Sequence, residues 1–258
     1  MDNIKEILLI GPGTSLETLD PNLIKTTPTL YFGGWFKWFQ DNNVCPTYWT
    51  FLDPNTITYF DKVIQDKDIY TKEFLTKLKK ETTIMYNNIQ GQKEFYELGF
   101  TTSRGLKWCT GDFYKNILPR VESYFKEPKI LNTIVTIDNY NTLFDEAVKH
   151  ICPIVRWSAR DKDGGNRNID KFVSYLIPLL ISQFQSLKTI KVIGLGDFNT
   201  ERLHSFEMGV PKSTQEVTYQ CFKDHFDFMR LKLIDLLEKK NIKIKFLNKD
   251  SYFNKFKK

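Results

Sequence analysis

A glycine-rich turn, with the sequence GPGTS at residues 11–15, follows the first apolar segment of the chain. Glycines let backbone N–H groups approach a phosphate closely, and the N-terminus of a following helix favours negative charge. The turn therefore contributes four candidate nucleotide-binding residues: Gly11, Gly13, Thr14 and Ser15. Leu16 occupies the position of the third glycine in the dinucleotide fingerprint, which disfavours a NAD-type site. The alternative is a plain strand-to-helix turn.

Two aspartates, Asp53 and Asp197, each follow an apolar segment that is typical of a buried strand. In a parallel sheet both carboxylates would emerge at the same edge as the glycine turn. There they could bind ribose hydroxyls or act as acid or base. Helix N-capping is the alternative, above all for Asp53, because Pro54 suits the first position of a helix.

The polar segment 160–168 precedes a strongly apolar segment at residues 169–187. Its last residues, Arg167 and Asn168, can donate hydrogen bonds to an anion at the start of the helix predicted there. We take both as candidate donor-binding residues. A solvated loop is the alternative interpretation.

His225 is the candidate general base among the three histidines of the chain. It lies at the start of a helix predicted over residues 224–240, at the margin of the apolar stripe. A helix N-terminus lowers the pKa of an imidazole, which keeps the ring neutral and able to accept a proton. A structural role is the alternative, as it is for His150, where capping or packing is sufficient.

We expect no metal site and no cofactor. The D-x-D motifs at residues 66–68 and 161–163 do not directly follow an apolar strand, so we interpret them as solvated charge. The four cysteines lie far apart, with no C-x-x-C spacing, and are expected to be reduced and mostly buried.

Apolar strands alternate with helical patterns along the chain, which predicts an α/β fold. Strands are predicted at residues 4–10, 29–32, 48–52, 82–86, 130–137, 189–193 and 242–247, and residues 152–157 are a further candidate strand. The main helices are predicted at residues 55–65, 72–80, 113–125, 169–187 (with a kink at Pro178) and 224–240. This pattern favours a single Rossmann-like domain over residues 1–258, with a mostly parallel sheet and helices on both faces. Ligands of such sheets bind outside the carboxyl ends of the strands.

The composition is that of a globular protein, with 41% hydrophobic and 26% charged residues among 258. Neither a signal peptide nor a membrane span is evident, so a cytoplasmic location is expected. The net charge of +6 is too small to indicate nucleic-acid binding. Lysines crowd the C-terminus; they form a solvated face or, alternatively, a patch that contacts an anionic membrane surface.

Three segments resemble the bacterial sialyltransferases of glycosyltransferase family 42 and the related MptE-like proteins. They are ILLIGPGTSL at residues 7–16, KVIGLGDF at 191–198, and Asp224-His225 followed by IKIKFLN at 242–248. The chain departs from the sialyltransferase pattern at several positions where asparagine or tyrosine is expected: Pro12, Gly33 or Gly34, Asp53 and Asn199.

The resemblance implies a glycosyltransferase that takes a nucleotide-activated, CMP-linked sugar donor and a glycan acceptor without a metal. It implies that His225 deprotonates the acceptor hydroxyl, that Gly11, Gly13 and Ser15 lie near the cytidine nucleotide, and that Arg167 and Asn168 lie near the donor. Two alternatives remain. One is a pyrophosphokinase or phosphoryl transferase of the MptE-like kind, and the other is a non-catalytic binding protein on the same fold.

Overall fold

The computed structural model describes residues 3–51, 54–65, 69–87, 116–131, 176–195, 234 and 237–249. These residues include seven strands that form one sheet in the order β5-β4-β3-β2-β1-β6-β7. Every neighbouring pair of strands is parallel. The strands are β1 (Glu6–Ile10), β2 (Thr29–Phe32), β3 (Tyr48–Thr50), β4 (Thr83–Asn87), β5 (Lys126–Leu131), β6 (Thr189–Ile193) and β7 (Lys243–Phe246).

Six α-helices have both ends in the described ranges, together with a 3-10 helix at Thr14–Thr18, and Ile234 and residues 237–239 before β7 are also helical. The six are α1 (Pro21–Thr26), α2 (Lys37–Asp41), α3 (Pro54–Gln65), α4 (Lys72–Glu81), α5 (Leu118–Glu122) and α6 (Ile177–Gln183). Local sequence explains where two of them begin. The Asp20 carboxylate accepts a hydrogen bond from the Asn22 N–H at the start of α1, and the Thr71 hydroxyl accepts one from the Phe74 N–H at the start of α4. None of the described helices is long and apolar enough to cross a membrane.

Both faces of the sheet are covered, which explains why its central strands are continuously apolar. Ile7 and Leu9 of β1 pack on one face, in the same cluster as Leu180 of α6. Leu8 and Ile10 pack on the opposite face, within a cluster rich in aromatic side chains. In a strand that is buried on both faces, apolar side chains point to both sides, so apolar and polar residues do not alternate. The predicted α/β fold with a parallel sheet and helices on both faces is confirmed.

Strand β5 begins earlier than the sequence predicted. It covers Lys126–Leu131, whereas we expected a strand at residues 130–137, and residues beyond 131 lie outside the described part. The sequence analysis did not predict this start, because β5 contains Glu127 and Pro128, and charged residues and proline are unusual in central strands. They are tolerated here since β5 lies at the edge of the sheet, where a missing N–H costs no ladder hydrogen bond. The register of β5 against β4 also shifts between Thr83 and Met85.

Two predicted helices also differ in their bounds. Helix α5 covers only Leu118–Glu122, and the chain then turns through Ser123 and Tyr124 into β5. The α-helical part of α6 begins at Ile177, directly after the π-helical Leu176, and Pro178 lies in its first α-helical turn. A proline is compatible with that position because the first N–H groups of a helix have no intrahelical acceptor. The first part of the predicted helix, residues 169–175, lies outside the described part, so the kink at Pro178 stays a prediction.

An ion pair joins α3 to α5. The Arg120 guanidinium donates from Nε and Nη2 to the two carboxylate oxygens of Asp61, each at 2.6 Å. Gln65 Nε2 donates to Asp61 Oδ2 at 3.0 Å, and the carboxylate is buried. A two-pronged contact of this kind constrains orientation as well as distance. It therefore helps to hold α3, whose first turns lie at the carboxyl edge of the sheet.

Candidate functional site

The order of the strands reverses at β1, and such a reversal predicts a crevice at the carboxyl end of this strand. Strands β2 to β5 are added in sequence on one side of β1, whereas β6 and β7 lie on its other side. In open parallel sheets, ligands bind outside the carboxyl ends of the strands at such a reversal. The turns at this point are residues 11–15, after β1, and Gly194 with Leu195, after β6.

Three hydrogen bonds join these two turns into one unit. The Gly11 N–H donates to the Ile193 carbonyl at 2.8 Å, and the Gly13 N–H donates to the Gly194 carbonyl at 2.8 Å. In the opposite direction, the Gly194 N–H donates to the Ser15 hydroxyl at 3.0 Å. Because Ser15 is buried, this last contact is shielded from water. The floor of the crevice is therefore built from both turns together.

The two backbones approach so closely that neither Gly11 nor Gly194 has room for a side chain. A Cβ on Gly11 would lie 2.3 Å from the Gly194 oxygen, and a Cβ on Gly194 would lie 2.1 Å from the Gly11 oxygen. Gly194 also has a φ of +71°, in the left-handed region that side chains disfavour. Glycine is thus required at both positions by packing alone.

These contacts bear on the predicted phosphate-binding role of the first turn. The N–H groups of Gly11 and Gly13 are both directed to carbonyls of the β6 turn, and Ser15 accepts from the same turn. In this conformation the two N–H groups and the Ser15 hydroxyl hold the two turns together. The half-exposed residues of the turn are Pro12 and Thr14. Nucleotide binding by Gly11, Gly13, Thr14 and Ser15 stays a prediction.

Replacing Ser15 by alanine is expected to destabilise the protein by about 1–3 kcal/mol, because the buried Gly194 N–H would lose its acceptor. Urea denaturation measures the change. Thr18→Ala, which removes an exposed hydroxyl from the same 3-10 helix, is the matched control and should cost less. Equal losses in the two variants would contradict the structural role of Ser15.

The turn after β2 is held by three aromatic side chains. Trp49 Nε1 donates to the Gly33 carbonyl at 2.7 Å, and the Tyr31 hydroxyl donates to the Trp35 carbonyl at 2.8 Å. The Phe36 N–H donates to the Tyr70 hydroxyl at 2.8 Å. Burial raises the pKa of both Tyr31 and Tyr70, so the two hydroxyls stay protonated at neutral pH. The backbone of residues 33–36 is therefore fixed in place.

This turn presents Trp35 beside Tyr59 of α3, and we call these two side chains the aromatic wall. Their ring centroids are 6.0 Å apart, and their planes are tilted by 41°. Trp35 is half-buried, whereas 41% of Tyr59 is exposed. Sequence reasoning noted Gly33 and Gly34 as the end of a strand and as a departure from the sialyltransferase pattern, and it missed the wall. The aromatic residues on both sides of the turn were the available signal.

Five of the predicted site residues lie outside the described part of the chain: Asp53, Arg167, Asn168, Asp197 and His225. Their roles in binding and catalysis stay predictions. Within the described ranges, no group of three His, Cys, Asp or Glu side chains is arranged to hold a metal ion.

Cys45 is the cysteine that lies in the described part, and it is buried. Burial raises the pKa of its thiol to about 12, with the nearby Glu81 carboxylate acting in the same direction. The thiol is therefore protonated at neutral pH and is a poor nucleophile.

The basic C-terminal region begins at β7, where Lys243 and Lys245 are exposed. Lys191 lies opposite Lys245 on β6 and forms an ion pair with Glu6 at 2.6 Å. Membrane contact through this region stays a prediction, as does the cytoplasmic location.

No protein-family model matches the chain, and no curated protein is significantly similar to it in sequence. Among solved structures, the chain is similar to the sialyltransferase CstII from Campylobacter jejuni in complex with a substrate analogue, cytidine-5'-monophosphate. The two chains are 12% identical, and the match covers 99% of this chain and 85% of that chain with a TM-score of 0.49. A similarity of this size does not transfer an activity from one chain to the other.

Proposed function

We propose that this chain is a glycosyltransferase that takes a nucleotide-activated, CMP-linked sugar as donor and a glycan as acceptor. The observation that carries the proposal is the pair of glycine turns that are hydrogen-bonded to each other at the carboxyl ends of β1 and β6, where the strand order reverses. A crevice at such a reversal is where parallel α/β sheets bind nucleotides. The resemblance of residues 7–16 and 191–198 to sialyltransferases independently points to the same two turns.

In this proposal the crevice binds the nucleotide through several groups with different tasks. Thr14, which is half-exposed in the turn after β1, faces the phosphate together with the donors Arg167 and Asn168. Asp53 and Asp197 accept hydrogen bonds from ribose hydroxyls, as carboxylates after such strands can. Gly11, Gly13 and Ser15 contribute by keeping the crevice in shape.

Transfer then needs one base and one stabilised leaving group. His225 accepts the proton of the acceptor hydroxyl as that oxygen forms a bond to the anomeric carbon of the donor sugar. The bond between the sugar and the phosphate oxygen breaks, and the nucleotide departs with the electron pair. The Arg167 guanidinium offsets the negative charge that develops on the phosphate. The chemistry requires no metal in this scheme.

A thermal-shift panel tests the proposal. We expect CMP or CDP to raise the unfolding temperature without added metal, because a ligand that binds only the folded state stabilises it. At a hundredfold excess over Kd the gain is about 2.7 kcal/mol. For a chain of this length that corresponds to roughly 5–10 °C. Cytidine, which lacks the phosphate, is the matched control and should act more weakly.

Two other results would contradict the proposal. Stabilisation by ATP with Mg²⁺, but not by cytidine nucleotides, would favour the pyrophosphokinase alternative, since metal ions clamp the transferred group in that chemistry. The absence of a response to every nucleotide would favour a non-catalytic binding protein.

A further inference from the structure

We propose that one face of strands β6 and β7 contacts an anionic lipid surface. The face consists of Lys191, Lys243, Lys245 and Leu247, and we call it the lysine face. It combines exposed side chains, positive charge and an apolar group beside that charge. Lysines close to an anionic membrane surface are attracted to it, and each one adds to the affinity. The inference does not depend on the proposed function.

The strand register places these side chains on one side of the sheet. Lys245 lies opposite Lys191, which in turn lies opposite Leu8 of β1. Residues that lie directly opposite each other in a parallel sheet point to the same side, and side chains alternate along each strand. Lys243 and Leu247 therefore point to the same side as Lys245. This is the side on which Leu8 is buried in the aromatic-rich cluster.

The packing on this side of the sheet does not extend to β7 in the described part of the chain. The aromatic-rich cluster contains no side chain of β7. The two partly buried side chains of this strand, Ile244 and Phe246, pack against the cluster on the other side. On the lysine face both lysines of β7 are exposed, and so is 37% of Leu247. One side of β7 is thus anchored in the core, while the other side is open.

The two lysines of β7 carry charge that the described residues do not neutralise. Lys191 is paired with the Glu6 carboxylate, whereas neither Lys243 nor Lys245 forms an ion pair within the described ranges. Their charge is part of a larger asymmetry along the chain. Residues 239–258 contain eight lysines and one aspartate, so the rest of the chain is close to neutral. A charge concentrated at one end of a chain indicates an anionic partner.

Leu247 favours a lipid surface over a purely polar polyanion. Its N–H donates to the Val192 carbonyl at 2.8 Å, so its backbone is fixed to β6 while its side chain is exposed. Lysine stems and an adjacent apolar side chain together suit the boundary between headgroups and acyl chains. A second copy of the chain paired through β7 would bring lysines against lysines, and such pairing is unfavourable.

Sedimentation of the full chain with lipid vesicles tests the proposal. The vesicles contain either phosphatidylcholine alone or phosphatidylcholine and phosphatidylserine in equal parts. We expect binding to the second kind only, and loss of this binding at high salt, because salt screens the attraction. Lys243→Gln and Lys245→Gln should each weaken the binding about fivefold, and the double variant about 25-fold.

Matched variants separate the lysine face from the net charge. The double variant Lys72→Gln, Lys80→Gln removes two exposed lysines from α4, which packs against β5 at the other end of the strand order. It changes the net charge equally and should leave binding nearly unchanged. Leu247→Gln retains every lysine, and it should weaken binding without changing the response to salt. All these side chains are exposed, so we expect the variants to fold, which thermal unfolding checks.

Several results would overturn the proposal. Equal binding to both kinds of vesicle would exclude an electrostatic contact, and binding to neither would leave the lysines as a solvated face. Equal weakening in the two double variants would mean that net charge, and not this face, controls binding. Unchanged binding in the β7 double variant would assign the contact to other lysines. Binding to polyglutamate but not to anionic vesicles would identify an acidic polypeptide as the partner instead.

Discussion

Gly194→Ala is expected to destabilise the protein more than any other single methyl addition in the described part of the chain. The new Cβ would lie 2.1 Å from the Gly11 oxygen and 2.7 Å from the Gly11 carbonyl carbon. Backbone atoms cannot rotate away, so the turns after β1 and β6 would have to separate. Overpacking costs about 1–3 kcal/mol, and a side chain at positive φ adds about 1–2 kcal/mol. The sum is a large share of a typical folding free energy of about 5–15 kcal/mol.

Urea denaturation, followed by circular dichroism, measures this loss. Gly34→Ala is the matched control, because a Cβ there would meet the Thr56 methyl at 3.3 Å, and a side chain can move by a few tenths of an ångström. It should change the free energy of unfolding by less than about 1 kcal/mol. Comparable losses of unfolding free energy in the two variants would contradict the close backbone contact between Gly11 and Gly194.

Replacing His225 by alanine is expected to lower the rate of sugar transfer by about 10²–10⁴-fold, which is the usual contribution of a positioned general base. Binding of the donor should be retained, because in the proposed mechanism the imidazole acts on the acceptor hydroxyl and not on the nucleotide. Release of nucleotide from the sugar nucleotide that stabilises the protein measures the rate, and thermal shift measures the binding. Added imidazole should restore part of the activity, since it can replace the missing base.

His150→Ala is the control for this experiment and should have the rate of the unmodified chain. Turnover that survives in His225→Ala would exclude this residue as the base, even if nucleotide binding is confirmed. A loss of binding together with turnover would assign His225 to the donor site instead. Measuring the rate and the binding together therefore shows whether His225 acts as the base or binds the donor.

Local patterns predicted the central strands well. The strands at Thr29–Phe32 and Thr189–Ile193 have the bounds that the sequence predicts, because each is a short, mostly apolar run that ends at a glycine or a turn. The sequence predicted edge strand β5 four residues too late, because its first residues do not have the composition of a strand. A strand with one unpaired side tolerates Glu127 and Pro128, so its composition no longer differs from that of a loop.

The glycine turn of residues 11–15 was also recognisable as a candidate site, since a Gly-x-Gly turn directly after an apolar strand is typical of phosphate-binding turns in parallel sheets. The sequence did not reveal what its glycines contact. Gly11 faces Gly194, which is remote along the chain, and Ser15 accepts from the same distant residue. Whether two glycines meet depends on which strands are neighbours, and nothing in either local segment specifies that β6 lies beside β1.

The aromatic wall was beyond the reach of sequence patterns for the same reason. Its turn is held through the contact of the Phe36 N–H with the Tyr70 hydroxyl, 34 residues away, and its second ring comes from α3. The sequence by itself determined most of the central strands, the parallel sheet and the positions of both glycine turns, because strand and turn formation depend on neighbouring residues. Tertiary structure alone decided which turns share a crevice and which rings stand beside it, because those contacts follow from strand order and packing across the whole chain.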